Sequence, residues 1–246
     1  MAERFTLKIG NHLLSSEKKK YYNEKVFSEI APKYDFITRA LSFWNDAAWK
    51  LDLINALPAN TNPHCIDLAC GTGDISFLLA KKYPDGYISG IDIAEPMLEI
   101  AGKRNIFPNI HFIKQDMSHL DYSSQSVDIV TGGYALRNAP DLGVVLDEIH
   151  RILKPGGTAA FLDFSKPDSK FSQKLEYWIL KIWGGFWGIM LHGNYEVYSY
   201  IAESLRLFPD RLQLREILWR KGFLVTTSRQ YFFGITELMV VKKVAE

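Results

Sequence analysis

The segment that most constrains this chain is Cys65-Ile66-Asp67-Leu68-Ala69-Cys70-Gly71-Thr72-Gly73-Asp74, answered by Ser89-Gly90-Ile91-Asp92-Ile93. A short apolar run enters a glycine turn, and the next apolar run reaches an acid 19 residues beyond Gly73. That interval fits a strand, a helix and a second parallel strand. Glycine allows a tight turn and lets a ligand lie against bare backbone, while an acid at the end of the second strand can accept both hydroxyls of a ribose. The expected pocket holds an adenosine-bearing cofactor against Gly71, Gly73, Asp92 and Ile93. The competing reading is a plain strand-to-helix turn that uses glycine for geometry alone.

Which cofactor is expected depends on what the loop lacks. A dinucleotide site needs G-x-G-x-x-G at the mouth of a helix, so that the helix N-terminus meets a pyrophosphate. Here the loop reads Gly71-Thr72-Gly73-Asp74-Ile75-Ser76, and Asp74 puts negative charge where a diphosphate would lie. S-adenosylmethionine carries a ribose and a sulfonium but no phosphate. It suits this loop better, with Asp67 facing its cationic end.

Composition narrows the remaining classes. A chain of 246 residues with 47% hydrophobic residues can bury a large core without disulfides or metal. Its net charge is +1 and its basic residues are dispersed, so there is no electrostatic footprint for nucleic acid. The run Lys18-Lys19-Lys20 reads as solvated surface near a terminus. Both cysteines, Cys65 and Cys70, lie in or beside an expected buried strand and read as core residues of a reducing compartment. No histidine has metal-ligand spacing, so no metal is expected. Without an apolar leader or a long uncharged apolar run, the expected location is cytoplasmic, with peripheral membrane contact left open.

Along the chain, Tyr21 to Ala56 shows helix-like apolar spacing interrupted at Pro32, with Val26, Phe27, Ile30, Tyr34, Phe36 and Trp44 as its apolar residues. Strands are then expected at Cys65–Leu68, Tyr87–Asp92, Ile110–Lys114, Val127–Gly132 and Thr158–Phe164. Helical patterns fall near Ile75–Lys82, Pro96–Lys103 and Leu142–Leu153. The run Lys154-Pro155-Gly156-Gly157 reads as a helix stop and a tight turn. This alternation predicts an α/β, doubly wound, mostly parallel sheet that binds ligands at the carboxyl ends of its strands. One domain spans 1–246: a helical preface at 1–56, a cofactor-binding core at 57–167, an aromatic helical insertion at 168–222 and β-rich runs at 223–246 around Gly234.

Several blocks carry a resemblance. Val26 to Asp35, Asp67 to Asp74, Tyr134-Ala135-Leu136-Arg137-Asn138, Leu153 to Gly157, Phe164-Ser165-Lys166-Pro167, and Tyr200 to Ser204 through Phe208-Pro209 occur in this order. Together they resemble the quinone C-methyltransferases of menaquinone and ubiquinone biosynthesis, from about Val26 to the C-terminus. The glycine loop alone would place the chain only in a broad superfamily; the Tyr134–Asn138 and Phe164–Pro167 blocks are much narrower.

The resemblance implies a Rossmann-like class I S-adenosylmethionine fold with a seven-stranded sheet. It also implies that Thr72 and Asp92 contact the cofactor and that Asp116 and Met117 flank its adenine. For Asp116, a turn aspartate beside Ser118 is the competing reading. Gly133 stands where family members commonly have serine, which removes one hydroxyl from the cofactor wall. Arg137 and Asn138 match residues at the reacting quinol. Arginine stays protonated, so Arg137 is assigned to stabilising a phenolate rather than to acting as a literal base, with Asn138 orienting a quinol oxygen. The plainer alternative pairs Arg137 with Asp141 and makes Asn138 a helix start. Tyr34 and Asp35 are expected to cover the cofactor as a lid, with an ordinary core tyrosine and capping aspartate as the competing reading.

Phe171 to Tyr200 departs most from the family pattern. It contains Tyr177, Trp178, Trp183, Phe186, Trp187 and Tyr195, with Gly184, Gly185 and Gly188 expected to break helical regularity. These aromatics suit either a channel for a prenyl tail or packing of helices on the sheet. The implied reaction is C-methylation of a lipophilic, prenylated quinol. Methylation of another small aromatic acceptor and a noncatalytic role for the cofactor pocket remain open, as do a homodimer, the identity of the ring and the length of its tail.

Overall fold

The computed structural model describes Ile9, His12, Leu13 and residues 15–244. Three helices come first: α1 (Ser16–Ile30), α2 (Tyr34–Leu41) and α3 (Asp46–Asn55). The interruption at Pro32 is a 3-10 turn over Ala31–Lys33. Then β1 (His64–Leu68), α4 (Asp74–Lys82), β2 (Tyr87–Asp92), α5 (Glu95–Arg104), β3 (Ile110–Lys114), β4 (Val127–Gly133), α6 (Leu142–Ile152) and β5 (Leu153–Phe164) alternate. Three helices, α7 (Lys170–His192), α8 (Glu196–Leu207) and α9 (Arg211–Arg220), precede the closing strands β6 (Phe223–Tyr231) and β7 (Thr236–Lys243).

The seven strands form one sheet in the order β3-β2-β1-β4-β5-β7-β6. All neighbours among β1 to β5 are parallel, and β7 runs antiparallel to both β5 and β6. Parallel strands covered on both faces read as unbroken apolar runs. Cys65, Ile66, Leu68, Ile88 and Ile129 are accordingly buried, and both free cysteines lie in this interior. The helices α3 and α4 pack on one side of the sheet, and α6 and α9 on the other. Strand order reverses between β1 and β4, which opens a crevice beyond their carboxyl ends.

The cap on that crevice comes from elements distant in sequence. Tyr22, Val26, Ile30 and Ile37 of the preface pack with Met97 of α5 and with Val197, Tyr198 and Tyr200 of α8. Phe36 and Trp44, in contrast, lie outside this core and are exposed.

Two local expectations are corrected. First, α7 runs unbroken through Gly184, Gly185 and Gly188. A Cβ on Gly184 would lie 2.6 Å from the Tyr198 carbonyl oxygen, and one on Gly188 would lie 2.4 Å from that of Asn194. These glycines therefore permit close crossing of α7 and α8 rather than a break. Second, Lys154–Gly157 falls inside β5, where pairing with β4 jumps from Val127–Leu153 to Ile129–Thr158. The turn residues are accommodated as a bulge, with Gly156 at φ +73°.

Candidate active site

The strand ends deliver acids to the crevice. Asp92 closes β2, and its Oδ2 accepts the Gly71 N–H at 2.8 Å while its Oδ1 accepts the Ala94 N–H at 2.9 Å. Burial pushes its carboxyl pKa up, against the pull of these amides. Asp92 thereby fixes the glycine loop and retains lone pairs for a ligand. Gly71 has φ +55°, and a Cβ there would meet Tyr34 Cε1 at 3.3 Å. Beside this loop, about 620 Å³ of solvent-connected space is bounded by Gly71, Asp92, Ile93, Met117 and Gly133, with Tyr34 and Asn138 also in its lining.

The other expected cofactor residues stand next to this cavity rather than in its wall. Asp67 is buried and accepts Ser76 Oγ–H at 2.7 Å and Thr131 Oγ1–H at 2.9 Å, one layer behind the loop. Desolvation raises its pKa to about 6 despite those two bonds. Gly73 has φ +92°, and a Cβ there would strike Phe77 and Phe112, so this glycine serves the turn and its packing. Asp116 accepts the Ser118 N–H at 2.9 Å and pairs with Lys20 at 2.7 Å. Its competing reading as a turn residue therefore describes its present contacts. At Gly133 an added Cβ would meet Ile75 Cδ1 at 2.6 Å, so α4 fills the space where a serine would stand.

Thr72 reaches α2. Its hydroxyl donates to Asp35 Oδ1 at 2.5 Å, and Arg104 bridges Asp35 at 3.0 Å and Asp74 at 2.7 Å. Lys50 also pairs with Asp74 at 3.0 Å and with Asp46 at 2.6 Å. Burial opposes the Asp74 charge, yet Lys50 and Arg104 hold its carboxyl below the usual range. This corrects the electrostatic argument from sequence: Asp74 is ionised but locally compensated, so its charge alone does not repel a diphosphate.

The lysine run is likewise more than solvated surface. Lys19 Nζ donates to the carbonyls of Arg137 at 3.0 Å and Ala139 at 2.6 Å. Desolvation, with Arg137 nearby, lowers its pKa to about 8. Together with the Lys20–Asp116 pair, it ties α1 over the strand ends.

Arg137 and Asn138 lie in a 3-10 turn after β4, and Asp141 is not the partner of Arg137. Asp141 caps α6 by accepting the Val144 N–H at 3.1 Å. Arg137 is instead buried between Phe164 and Tyr200, donates to Ser204 Oγ at 2.5 Å, and has Asp163 Oδ1 3.7 Å from its Nε. Among the described residues that Nε–H has no hydrogen-bond partner. Asn138 Nδ2 donates to the Tyr134 carbonyl at 2.8 Å, and its Oδ1 accepts Tyr200 O–H at 3.2 Å. Tyr200 also bonds Asn23 at 2.6 Å, and Asn23 bonds the Asn138 carbonyl at 2.7 Å.

These residues border a second, larger space of about 1000 Å³, also connected to solvent. Its wall is overwhelmingly apolar and aromatic, with Arg137 and Asn138 among its few polar groups. It shares Phe27, Tyr34, Tyr134 and Asn138 with the cavity beside the glycine loop, so the two spaces abut. Trp183 from the aromatic insertion lines it, stacked on Phe43 with centroids 5.9 Å apart.

Sequence reasoning missed Asn23, Lys50, Arg104, Asp163 and Ser204. Asp163 had a usable signal, because it is an acid near the carboxyl end of an apolar strand, like Asp67 and Asp92. Asn23 had none: its contact lies 115 residues away along the chain.

Relatives resemble this chain in sequence and in fold. The demethylmenaquinone methyltransferase of Geobacillus kaustophilus is 32% identical over 219 residues, which cover 87% of this chain and 93% of that protein. The ubiquinone/menaquinone biosynthesis C-methyltransferase UbiE of Rickettsia akari is 36% identical over 228 residues, 87% of this chain and 91% of that one. Among solved structures, a SAM-dependent methyltransferase from Thermotoga maritima superposes with a TM-score of 0.64 at 18% identity, covering 89% of this chain and 98% of that one. A second, from Aquifex aeolicus, gives 0.59 at 15% identity, covering 79% and 89%. The fold is thus the Rossmann-like class I methyltransferase fold. With residues 14–243 matching the model of the ubiE/COQ5 methyltransferase family, the chain belongs to that family.

Proposed function

We propose that this enzyme transfers a methyl group from S-adenosylmethionine to a ring carbon of a reduced, prenylated quinone, a step of menaquinone or ubiquinone biosynthesis, releasing S-adenosylhomocysteine and the proton that the ring carbon carried. The observation that carries this reading is the abutment of two unlike cavities: one against glycine backbone and a strand-end acid, the other apolar with a buried arginine. The names of the relatives support the quinone as acceptor.

The residues present fit the cofactor. Gly71 leaves bare backbone under the Tyr34 ring, and Asp92 offers carboxylate lone pairs to a ribose. Ile93 and Met117 supply apolar walls, with Asp116 adjacent. Thr72, Gly73 and Asp67 hold the loop, the first through Asp35 of the lid and the last through Ser76 and Thr131. When bound, S-adenosylmethionine supplies an electrophilic sulfonium methyl.

The protein then has to make the acceptor carbon nucleophilic and aim it. Arg137 stabilises the phenolate of the quinol, which concentrates charge on the adjacent ring carbon. Its fixed position between Phe164 and Tyr200, with Ser204 and Asp163 at its edges, means that little reorganisation accompanies that stabilisation. Asn138 orients a quinol oxygen, and Tyr34 forms part of the aperture between the cavities. Attack from the apolar side spreads charge out, so a dry wall favours it. Alignment of carbon, methyl and sulfur contributes several kcal/mol through proximity.

The test is incubation of purified protein with methyl-labelled S-adenosylmethionine and a panel of reduced demethylated benzoquinones, naphthoquinones and simple phenols. Label on a ring carbon of a quinol supports the proposal. Label on phenols alone, or no transfer to any acceptor, would sink it.

A further inference from the structure

We infer that the outer face of α7, with the loops at Phe43–Trp44 and Phe232–Phe233, is a bilayer-docking surface through which the acceptor's tail passes directly from lipid into the apolar cavity. This rests on the reading of the acceptor as lipophilic.

The helix α7 is apolar on two sides. One side is used inside the molecule: Leu180, Gly184 and Gly188 are buried, and the glycines face α8. The opposite side carries Phe171, Leu175, Trp178, Ile182, Phe186 and Ile189, at helical spacings of three and four, and all six are exposed. An exposed apolar stripe along a helix whose opposite side is already packed calls for a second apolar phase. No helix among the described residues is long and apolar enough to cross a membrane, so α7 would lie along one rather than through it.

Two loops extend the same surface. Phe43 and Trp44 have φ +49° and +63°, and Phe232 and Phe233 have φ +47° and +55°. Left-handed backbone costs an L-residue about 1–2 kcal/mol, and here it holds aromatic rings outward, with Trp44 67% and Phe233 fully exposed. Ring contacts make the surface continuous: Phe43 stacks on Trp183 and lies 5.6 Å from Phe232, and Trp183 stacks on Phe186 at 5.7 Å.

The occupant follows from two features. Phe43, Ile179, Trp183 and Phe232 belong both to this surface and to the wall of the acceptor cavity, so the cavity opens where the apolar residues cluster. A second copy seated there would seal that opening, whereas a bilayer would feed it. Charge also favours lipid. Lys170 and Lys174 are exposed on α7, Lys181 is paired with Glu203, and the helix's single carboxyl, Glu176, is buried. Arg39 stands exposed near the Phe43 loop. A cationic fringe around an apolar face complements anionic headgroups.

The test is flotation with vesicles of phosphatidylcholine containing phosphatidylglycerol, comparing the wild type with a Trp44→Glu, Ile182→Glu, Phe233→Glu variant. These three side chains do not line either cavity. The wild type should float, the variant should partition about tenfold less or weaker, and the variant should methylate a tail-less quinol at the wild-type rate. Brominated lipids should quench wild-type tryptophan fluorescence, and Trp44→Phe should lessen that quenching. The inference is overturned if the wild type stays in the aqueous fraction, if the variant floats equally, or if the substitutions instead convert a dimer to a monomer. Flotation decides the surface alone. Failure of the wild type on the tail-less quinol would instead count against the reaction assigned above.

Discussion

Asp163 grips Arg137 twice: its Oδ2 accepts the Arg137 backbone N–H at 3.0 Å, and its Oδ1 faces the guanidinium Nε at 3.7 Å. Burial raises the Asp163 carboxyl pKa, and the Arg137 charge opposes that rise. The turn's backbone thus holds the carboxylate beside the guanidinium, which is itself oriented by its hydrogen bond to Ser204. We predict that Arg137→Ala lowers kcat for a reduced quinone by about 10²–10³ while leaving cofactor affinity nearly unchanged. Arg137→Lys should recover little, since an ammonium cannot span both Asp163 and Ser204. Steady-state rates at saturating cofactor check this, and an unchanged kcat in Arg137→Ala would remove the arginine from the mechanism.

Asp67 should leave a signature in acid. Its folded pKa of about 6 lies above the ordinary 3.8, so its contribution to stability is fully present below about 3.8 and is lost as pH rises through about 6. Asparagine has no such dependence. The stability difference between Asp67→Asn and wild type should consequently move in the variant's favour by up to about 3 kcal/mol between about pH 4 and pH 7. Urea unfolding of both proteins across that range measures it; a constant difference contradicts the prediction.

Asp35 of α2 joins Thr72 of the glycine loop to Arg104 of α5, and we propose that this fastening makes α2 a lid over the cofactor. Both Asp35 and Arg104 are about a third exposed, so Asp35→Ala should cost less than about 1 kcal/mol of stability. Its effect should appear in exchange: S-adenosylhomocysteine should dissociate about three- to tenfold faster by stopped flow. An unaltered off-rate would show that the fastening does not gate the cofactor.

Glycine-to-alanine changes inside helices ordinarily stabilise by up to about 1 kcal/mol. Gly184→Ala should do the reverse, losing about 1–3 kcal/mol, because the new Cβ would sit 2.6 Å from backbone on α8. Thermal unfolding gives the sign directly. A stabilised variant would mean that α7 and α8 can separate without penalty.

The parallel half of the sheet was legible because strands covered on both faces are written as apolar runs: β2 and β3 have the expected bounds, and β1 and β4 differ by one residue. The strand-end acid Asp92 and its neighbours Gly71 and Ile93 were singled out through motif spacing and Met117 through the family resemblance, and all four line one cavity. What escaped was set by contacts between distant segments. Glycines in α7 look like helix breakers until α8 is laid across them, and Lys19 looks solvated until the Arg137 turn closes above it. Asp74 shows the same limit for charge, since its partners Lys50 and Arg104 lie 24 and 30 residues away.

The shared partition of Tyr34, Tyr134 and Asn138 gives the molecule two doors. Lys20 and Gln115 line one of these solvent-connected rooms, Phe43 and Trp183 the other, and in the proposed reaction only the methyl group has to pass between them. Spent nucleoside can then leave into water while the ring stays in its own chamber. This predicts initial-rate patterns with no compulsory order of addition, and a strictly ordered pattern would mean that one door stays shut until the other has been used.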